Sequence, residues 1–162
     1  MGDDPIGILV ALFSLIFLLS VLPLAIIQNN VDSQVEMAIE EAVEDFTDNV
    51  RSTGYITKEE YEIFKNELTT YGYTLNVEML HRSKVVVPNG SSYSTAYNAY
   101  NFNDILDALE TNGIYTMKNG DFFYIKLTSV DSTFGSKIFS TILGTSGTKI
   151  AIPSGGMVGN TY

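Results

Sequence analysis

Residues 6–46 read "IGILVALFSLIFLLSVLPLAIIQNNVDSQVEMAIEEAVEDF", and the reading of this stretch decides the fold. Between Pro5 and Ile27 there is no charged residue, whereas seven carboxylates and no lysine or arginine lie between Asp32 and Asp48. Roughly 20 apolar residues suffice for a helix to cross a bilayer, so 5–27 reads as an uncleaved membrane anchor. A secretory signal would have a shorter apolar core of about 7–15 residues behind basic residues. Here Asp3 and Asp4 precede the run. Neither flank carries Lys or Arg before Arg51, which permits export of everything beyond the span.

The second half has a different pattern. Val31, Val35, Ala38, Ile39, Ala42, Val43, Phe46 and Val50 recur at steps of three and four, the spacing of one helical face. The acids between them repel at i, i+4, as in Glu36/Glu40 and Glu40/Glu44. The apolar stripe therefore needs a packing partner. One continuous helix from Ile6 to Val50 is expected, about 65 Å long at 1.5 Å per residue. Pro23 should kink it, and a break at Gln28 to Asn30 is the alternative. The expected organisation is a long N-terminal helix over 1–50 and an exported head over 51–162. Within the helix, 5–27 is the membrane or filament-core segment and 28–50 the amphipathic extension.

The head reads as α+β. Gly54 suits a turn, and Thr57 with Glu60 three residues on forms a capping-box pattern before Tyr61, Phe64 and Leu68 on one helical face. Tyr73, Leu75, Val77 and Met79 alternate as in a half-buried strand, which "KVVVP" at 84–88 continues. "GSSYSTAYNAYN" from Gly90 is expected as a loop, with Tyr93, Tyr97 and Tyr100 as rigid amphipathic contact residues. Asn103 is the expected cap of a short helix closed by Asn112-Gly113. Residues 114–130 read as a hairpin across Asn119-Gly120. Phe134, Ile138 and Ile142 have helical spacing, and a last strand falls at Lys149 to Ile152. The expected head is thus a small antiparallel sheet with short helices.

Composition narrows the function. A net charge of −10 argues against nucleic acid as a partner, since such binders displace phosphate counterions with basic stripes. The absence of cysteine removes disulfides, thiolate metal sites and thiol nucleophiles. His81 is the only histidine and reads first as a solvated residue at a strand edge, not a general base. "GTSGTK" at 144–149 lacks the Gly-Lys-Ser/Thr order of a phosphate loop. The acids of 32–48 lack the alternating ligands and turn glycine of a calcium loop. "NGS" at Asn89 to Ser91 matches a glycosylation acceptor. No catalytic residue, metal site or cofactor is expected, and the chain does not read as an enzyme.

An apolar helix containing a proline, an amphipathic continuation and a small α+β head together resemble a type IV pilin, closest to the TadE-like minor pilins of bacteria. The residues that carry the likeness are "IGILVALFSLIFLLSVLPLAII" and "VDSQVEMAIEEAVEDF". The resemblance implies a structural subunit of an extracellular pilus-like filament, held in the cytoplasmic membrane before assembly. Its implied partners are lipid, a membrane assembly machinery and other copies of the chain. Ile8, Leu12, Leu15, Leu19, Pro23 and Ile26 would then form the filament core. Val31, Val35, Ile39, Val43 and Phe46 would form the packing stripe on the head. Pilins commonly keep a glutamate early in the apolar helix and carry a short basic leader. No acid lies within the apolar run, and only Asp3 and Asp4 stand where one could pair with a neighbour's amine; Met1-Gly2 alone precedes them, so a leader is absent, already removed or no part of this protein's biology. The alternative is a monomeric single-pass accessory of a secretion or conjugation apparatus with a small exported binding head.

Overall fold

The structure is a computed structural model that describes residues 5–90, 92–132, 137, 141 and 149–159; side chains at 21, 22, 24–26, 28 and 29 are outside the description. The chain divides into two compact units, residues 1–35 with 132–148 and residues 36–131 with 149–162. Helix α1 spans Pro5–Thr53 and contains Pro23. Proline removes one backbone donor from a helix but leaves neighbouring turns able to close.

In the first unit, the α1 side chains from Ile6 to Leu19 lie open to solvent. The expected membrane anchor over 5–27 does not hold. Among the described residues no helix is long and apolar enough to cross a membrane. The transmembrane reading, the pilin-like fold built on it, the cytoplasmic-membrane stage and the export to a cell-surface filament fall together. The membrane anchor of the alternative accessory reading falls with them. Phe134, Ile138 and Ile142, the expected helix beyond the hairpin, lie outside the described residues.

In the second unit, α1 turns amphipathic. Ile39, Ala42, Val43, Phe46 and Val50 are buried, while Glu36, Glu40, Glu41, Glu44, Asp45 and Asp48 face solvent. The helix ends at Gly54, where β1 (Tyr55–Thr57) begins. Helix α2 (Lys58–Thr70) follows directly, because Thr57 Oγ1 accepts the Glu60 N–H at 3.2 Å and Glu60 Oε2 accepts the Thr57 N–H at 2.9 Å. This reciprocal cap satisfies two backbone donors the first turn leaves over. Phe64 of α2 stacks on Phe46 of α1 at 4.2 Å between ring centroids.

Strands β2 (Leu75–Asn89) and β3 (Ser92–Asn101) form a long antiparallel ribbon. The expected loop with Tyr93, Tyr97 and Tyr100 is therefore a strand; its β-favouring tyrosines and threonine pair along the whole second half of β2. Helix α3 (Phe102–Asn112) begins two residues earlier than expected, because Asp104 reaches back to the Asn101 N–H at 2.7 Å. It ends at Gly113, whose left-handed backbone (φ 74°) returns its N–H to Leu109 O at 3.0 Å.

Strand β4 (Ile114–Thr116) then pairs with β1 instead of forming the expected hairpin with β5 (Phe122–Ser129). The turn at 118–121 does form, with the Asp121 N–H on Lys118 O, but its two arms separate into different sheets. Asp121 binds backbone of β2 and so directs β5 there (see below). Strand β6 (Ala151–Met157) completes an antiparallel sheet of order β3-β2-β5-β6, beside the two-stranded β1-β4 pair.

Alternation defines the two faces of the four-stranded sheet. Met79 and His81 of β2, Phe123, Ile125 and Leu127 of β5 and Ile152 of β6 are buried on one face. A methyl group placed on Gly156 of β6 would meet the Arg51 guanidinium of α1 at 2.8 Å, which puts α1 over that buried face. One on Gly155 would point the other way, into the Tyr124 ring and Phe123 O at 2.6 Å. Arg51 fastens helix to sheet: its Nε donates to Met157 O at 3.2 Å, and its own carbonyl accepts the Gly159 N–H at 3.0 Å.

Candidate functional site

Three features of the described residues carry surface or chemistry that packing alone does not absorb. The first is the N-terminal helical segment. Ile8, Leu12, Leu15 and Leu19 are more than half exposed, and so are Leu9, Val10, Phe13, Ile16, Phe17 and Leu18 between them. Exposure runs from 53% at Ile16 to 77% at Ile6. Consecutive residues point about 100° apart on a helix, so this exposure encircles it. Eleven large apolar side chains open on every side present on the order of 1,000 Å², against a few hundred for the largest patch of an ordinary monomer. Pro23 is exposed in the same helix, and the side chain of Ile26 lies outside the described residues, as do Asp3 and Asp4.

The remaining expected stripe divides. Ile39, Val43 and Phe46 are buried, Val35 is half-buried, and Val31 stays 46% exposed. Asp32, by contrast, is buried although it belongs to the acidic series.

The second feature is a polar cluster on the buried face of the second unit. His81 is 4% exposed and Asp121 1% exposed. His81 Nε2 lies 2.9 Å from Asp121 Oδ2, and His81 Nδ1 lies 2.7 Å from the Tyr115 hydroxyl. Asp121 also accepts the Lys84 N–H on Oδ1 at 2.7 Å and the Lys118 N–H on Oδ2 at 2.9 Å. Burial pushes the Asp121 carboxyl up, but the backbone N–H groups of Lys118 and Lys84 and the His81 ring outweigh it and hold it below the usual carboxylate range. An ionised carboxylate only accepts, so Nε2 carries the proton, and in the neutral ring Nδ1 accepts from Tyr115. Burial, with the nearby charges of Tyr100, Asp104 and Asp121, raises the Tyr115 phenol well above its ordinary value. Tyr100 stacks on His81 at 5.4 Å.

Chemically this constellation is saturated. Both Asp121 oxygens are engaged by backbone donors, the ring is bonded at both nitrogens, and among the described residues the one hydroxyl that joins it is the Tyr115 phenol. It clasps β2, β4 and the turn before β5 together. Among the described residues no group of three or more His, Asp or Glu is placed to hold a metal ion.

The third feature is the opposite, outward sheet face. Leu80, Tyr124 and Gly155 lie in register across β2, β5 and β6, beside the row Glu78, Lys126 and Pro153. These two rows, with Phe102, border a groove of about 820 Å³. Next to it Phe122 stacks on Tyr124 at 6.2 Å, Tyr97 meets Phe122 edge-on at 5.8 Å, and the Arg82 guanidinium sits 6.0 Å from the centre of the Tyr124 ring. Tyr93 and Tyr97 share this face of β3, while Tyr100 points to the other and joins His81.

Sequence reasoning missed both features of the head. His81 and Asp121 are forty residues apart, and nothing local to either signals the other. The outward face was foreshadowed only by the alternation of Phe122, Tyr124 and Lys126 with Phe123, Ile125 and Leu127 in β5. No family model, no curated protein and no solved structure matches this chain, so its own residues carry the functional reading.

Proposed function

We propose that the chain is a structural subunit that polymerises through its N-terminal helix, each copy covering the apolar side chains of its neighbours. The observation behind this reading is the all-round exposure of the helix from Ile6 to Leu19. Covering each such side chain stabilises an assembly by roughly 1–2 kcal/mol, because only part of it starts exposed. A helix with a single apolar face is satisfied by one partner. An encircling apolar surface requires several neighbours, and repeated contacts that do not close upon themselves extend without limit. The polar cluster of the head, with both His81 nitrogens and both Asp121 oxygens engaged, supplies rigidity in this scheme.

The test uses the full chain, dispersed in a nonionic detergent that is then removed. Electron microscopy and sedimentation should show ordered fibres. The double substitution Leu12→Glu with Leu15→Glu should leave small dispersed species under the same conditions. A wild-type chain that stays monomeric without detergent, or that gives only shapeless precipitate, overturns the proposal.

A further inference from the structure

The charges of the second unit are sorted between its two sides. Glu36, Glu40, Glu41, Glu44 and Asp45 face solvent from α1, and no ion pair to any of them occurs among the described residues. Only Asp48 on this surface is paired, to Arg51 at 2.8 Å. In their midst stands Met37, 59% exposed, one helical turn from Glu40, Glu41 and Ser33. Across the sheet, on the face turned away from α1, lie Arg82, Lys84 and Lys126, three of the nine basic residues of a chain with nineteen acids. Glu78, in register with Lys126, is the one acid among them. Lys126 and Glu78 line the groove of this face, Leu80, Tyr124 and Pro153 wall it, and Arg82 stands beside its Tyr124 wall.

We propose that this groove receives the outward face of α1 from a second copy of the chain, with Met37 seated against Leu80 and Tyr124 and the flanking glutamates meeting Arg82 and Lys126. The inference names a second contact of the self-assembly proposed above and rests on that reading. Complementarity carries it: an acidic ridge with one flexible apolar side chain meets an aromatic-walled depression on a sheet face where Arg82, Lys84 and Lys126 outnumber Glu78. Methionine adapts to irregular apolar gaps and makes favourable contacts with aromatic rings. The two surfaces lie on opposite sides of the sheet, so the contact is head-to-tail and leaves both surfaces free at the ends. Its strength also falls with salt, since the charges lie at the rim.

A charge exchange tests it in the full chain. One variant carries Arg82→Glu and Lys126→Glu; the other carries Glu40→Lys and Glu44→Lys. Alone, each places like charges across the contact, and the concentration needed for assembly should rise by about tenfold or more. Mixed in equal amounts, the acidic helix of the first meets the native groove of the second, and the basic helix of the second meets the acidic groove of the first. Assembly should then return close to wild type. In parallel, a photoreactive benzoylphenylalanine at position 124 should cross-link to residues 36–48 of a ¹⁵N-labelled copy, which keeps the question decidable even where a charge variant misfolds. Wild-type fibres with no rescue on mixing and cross-links elsewhere overturn this contact while leaving polymerisation through the N-terminal helix intact. A wild-type chain that does not assemble overturns both.

Discussion

Replacing Asp121 with Asn is a small change in shape and a large one in bonding. The carboxylate accepts three hydrogen bonds, from Lys84 N–H, Lys118 N–H and His81 Nε2, while 1% exposed. The amide retains one oxygen and turns an NH₂ group towards a backbone N–H or the ring. At least one buried donor is left facing another donor, and the bonds that persist lose their charge assistance. A buried unsatisfied donor costs about 1–3 kcal/mol, and hydrogen bonds to charged groups contribute about 1.5–3 kcal/mol. Asp121→Asn should therefore destabilise the head by about 2–4 kcal/mol, or roughly 10–20 °C in Tm for a domain of this size. The pH dependence follows from linkage. The folded Asp121 carboxyl lies below its usual value, so its stabilisation is fully present above the unfolded value of about 3.9 and is lost as pH falls through the folded one. The gap between wild type and variant should be constant from about pH 5 to 7 and close below about pH 4. Urea unfolding of the full chain in nonionic detergent, followed by tyrosine near-ultraviolet circular dichroism, measures it. A variant within about 0.5 kcal/mol of wild type at pH 7, or a gap that persists unchanged to pH 3, refutes the clasp.

Further outcomes are expected in the same assay. Phe46→Ala removes the ring stacked on Phe64 and should cost about 3–5 kcal/mol, with α1 and α2 losing their shared core. Thr57→Ala opens the reciprocal cap of α2 and should cost about 1 kcal/mol at neutral pH. Burial raises the Glu60 carboxyl, but the Thr57 side chain and backbone and Asn49 hold it below its ordinary value; Thr57→Ala should move it up, as carboxylate titration by NMR would show. Gly155→Ala places a methyl 2.6 Å from Phe123 O and from the Tyr124 ring, at φ 158°, and should destabilise by about 1–3 kcal/mol while displacing Tyr124. The last effect is visible as a shift of the Tyr124 ring resonances, and an unmoved ring would contradict the packing described.

The elements whose causes are local could be read from the residues themselves. Thr57 with Glu60 starts α2, Tyr61, Phe64 and Leu68 bury along it, and Gly113 ends α3, because caps and helical faces are set by residues three or four positions apart. The stripe Ile39, Val43 and Phe46 was legible for the same reason. Pairings between distant strands were not. Asn119-Gly120 correctly marked a turn, but which strands its arms join depends on Asp121 finding Lys84 and His81. The tyrosine-rich stretch looked like a loop because its polar residues carry no alternation, yet β2 gives every residue from Ser92 to Asn101 a partner. The apolar N-terminal stretch posed the opposite problem: hydropathy declares that such a surface must be covered, but not by what.

Composition and periodicity alone thus determined an α+β head and an amphipathic second half of α1 with Glu36, Glu40, Glu41, Glu44, Asp45 and Asp48 outward. Tertiary structure alone decided the strand order β3-β2-β5-β6, the buried meeting of His81, Asp121 and Tyr115, and the separation of an acidic helix face from a basic, aromatic sheet face. The division is physical. Helical faces and caps are fixed by neighbours within a turn or two, whereas sheet register and buried polar clusters arise only when segments tens of residues apart are brought together, at an entropic cost that their contacts must jointly offset.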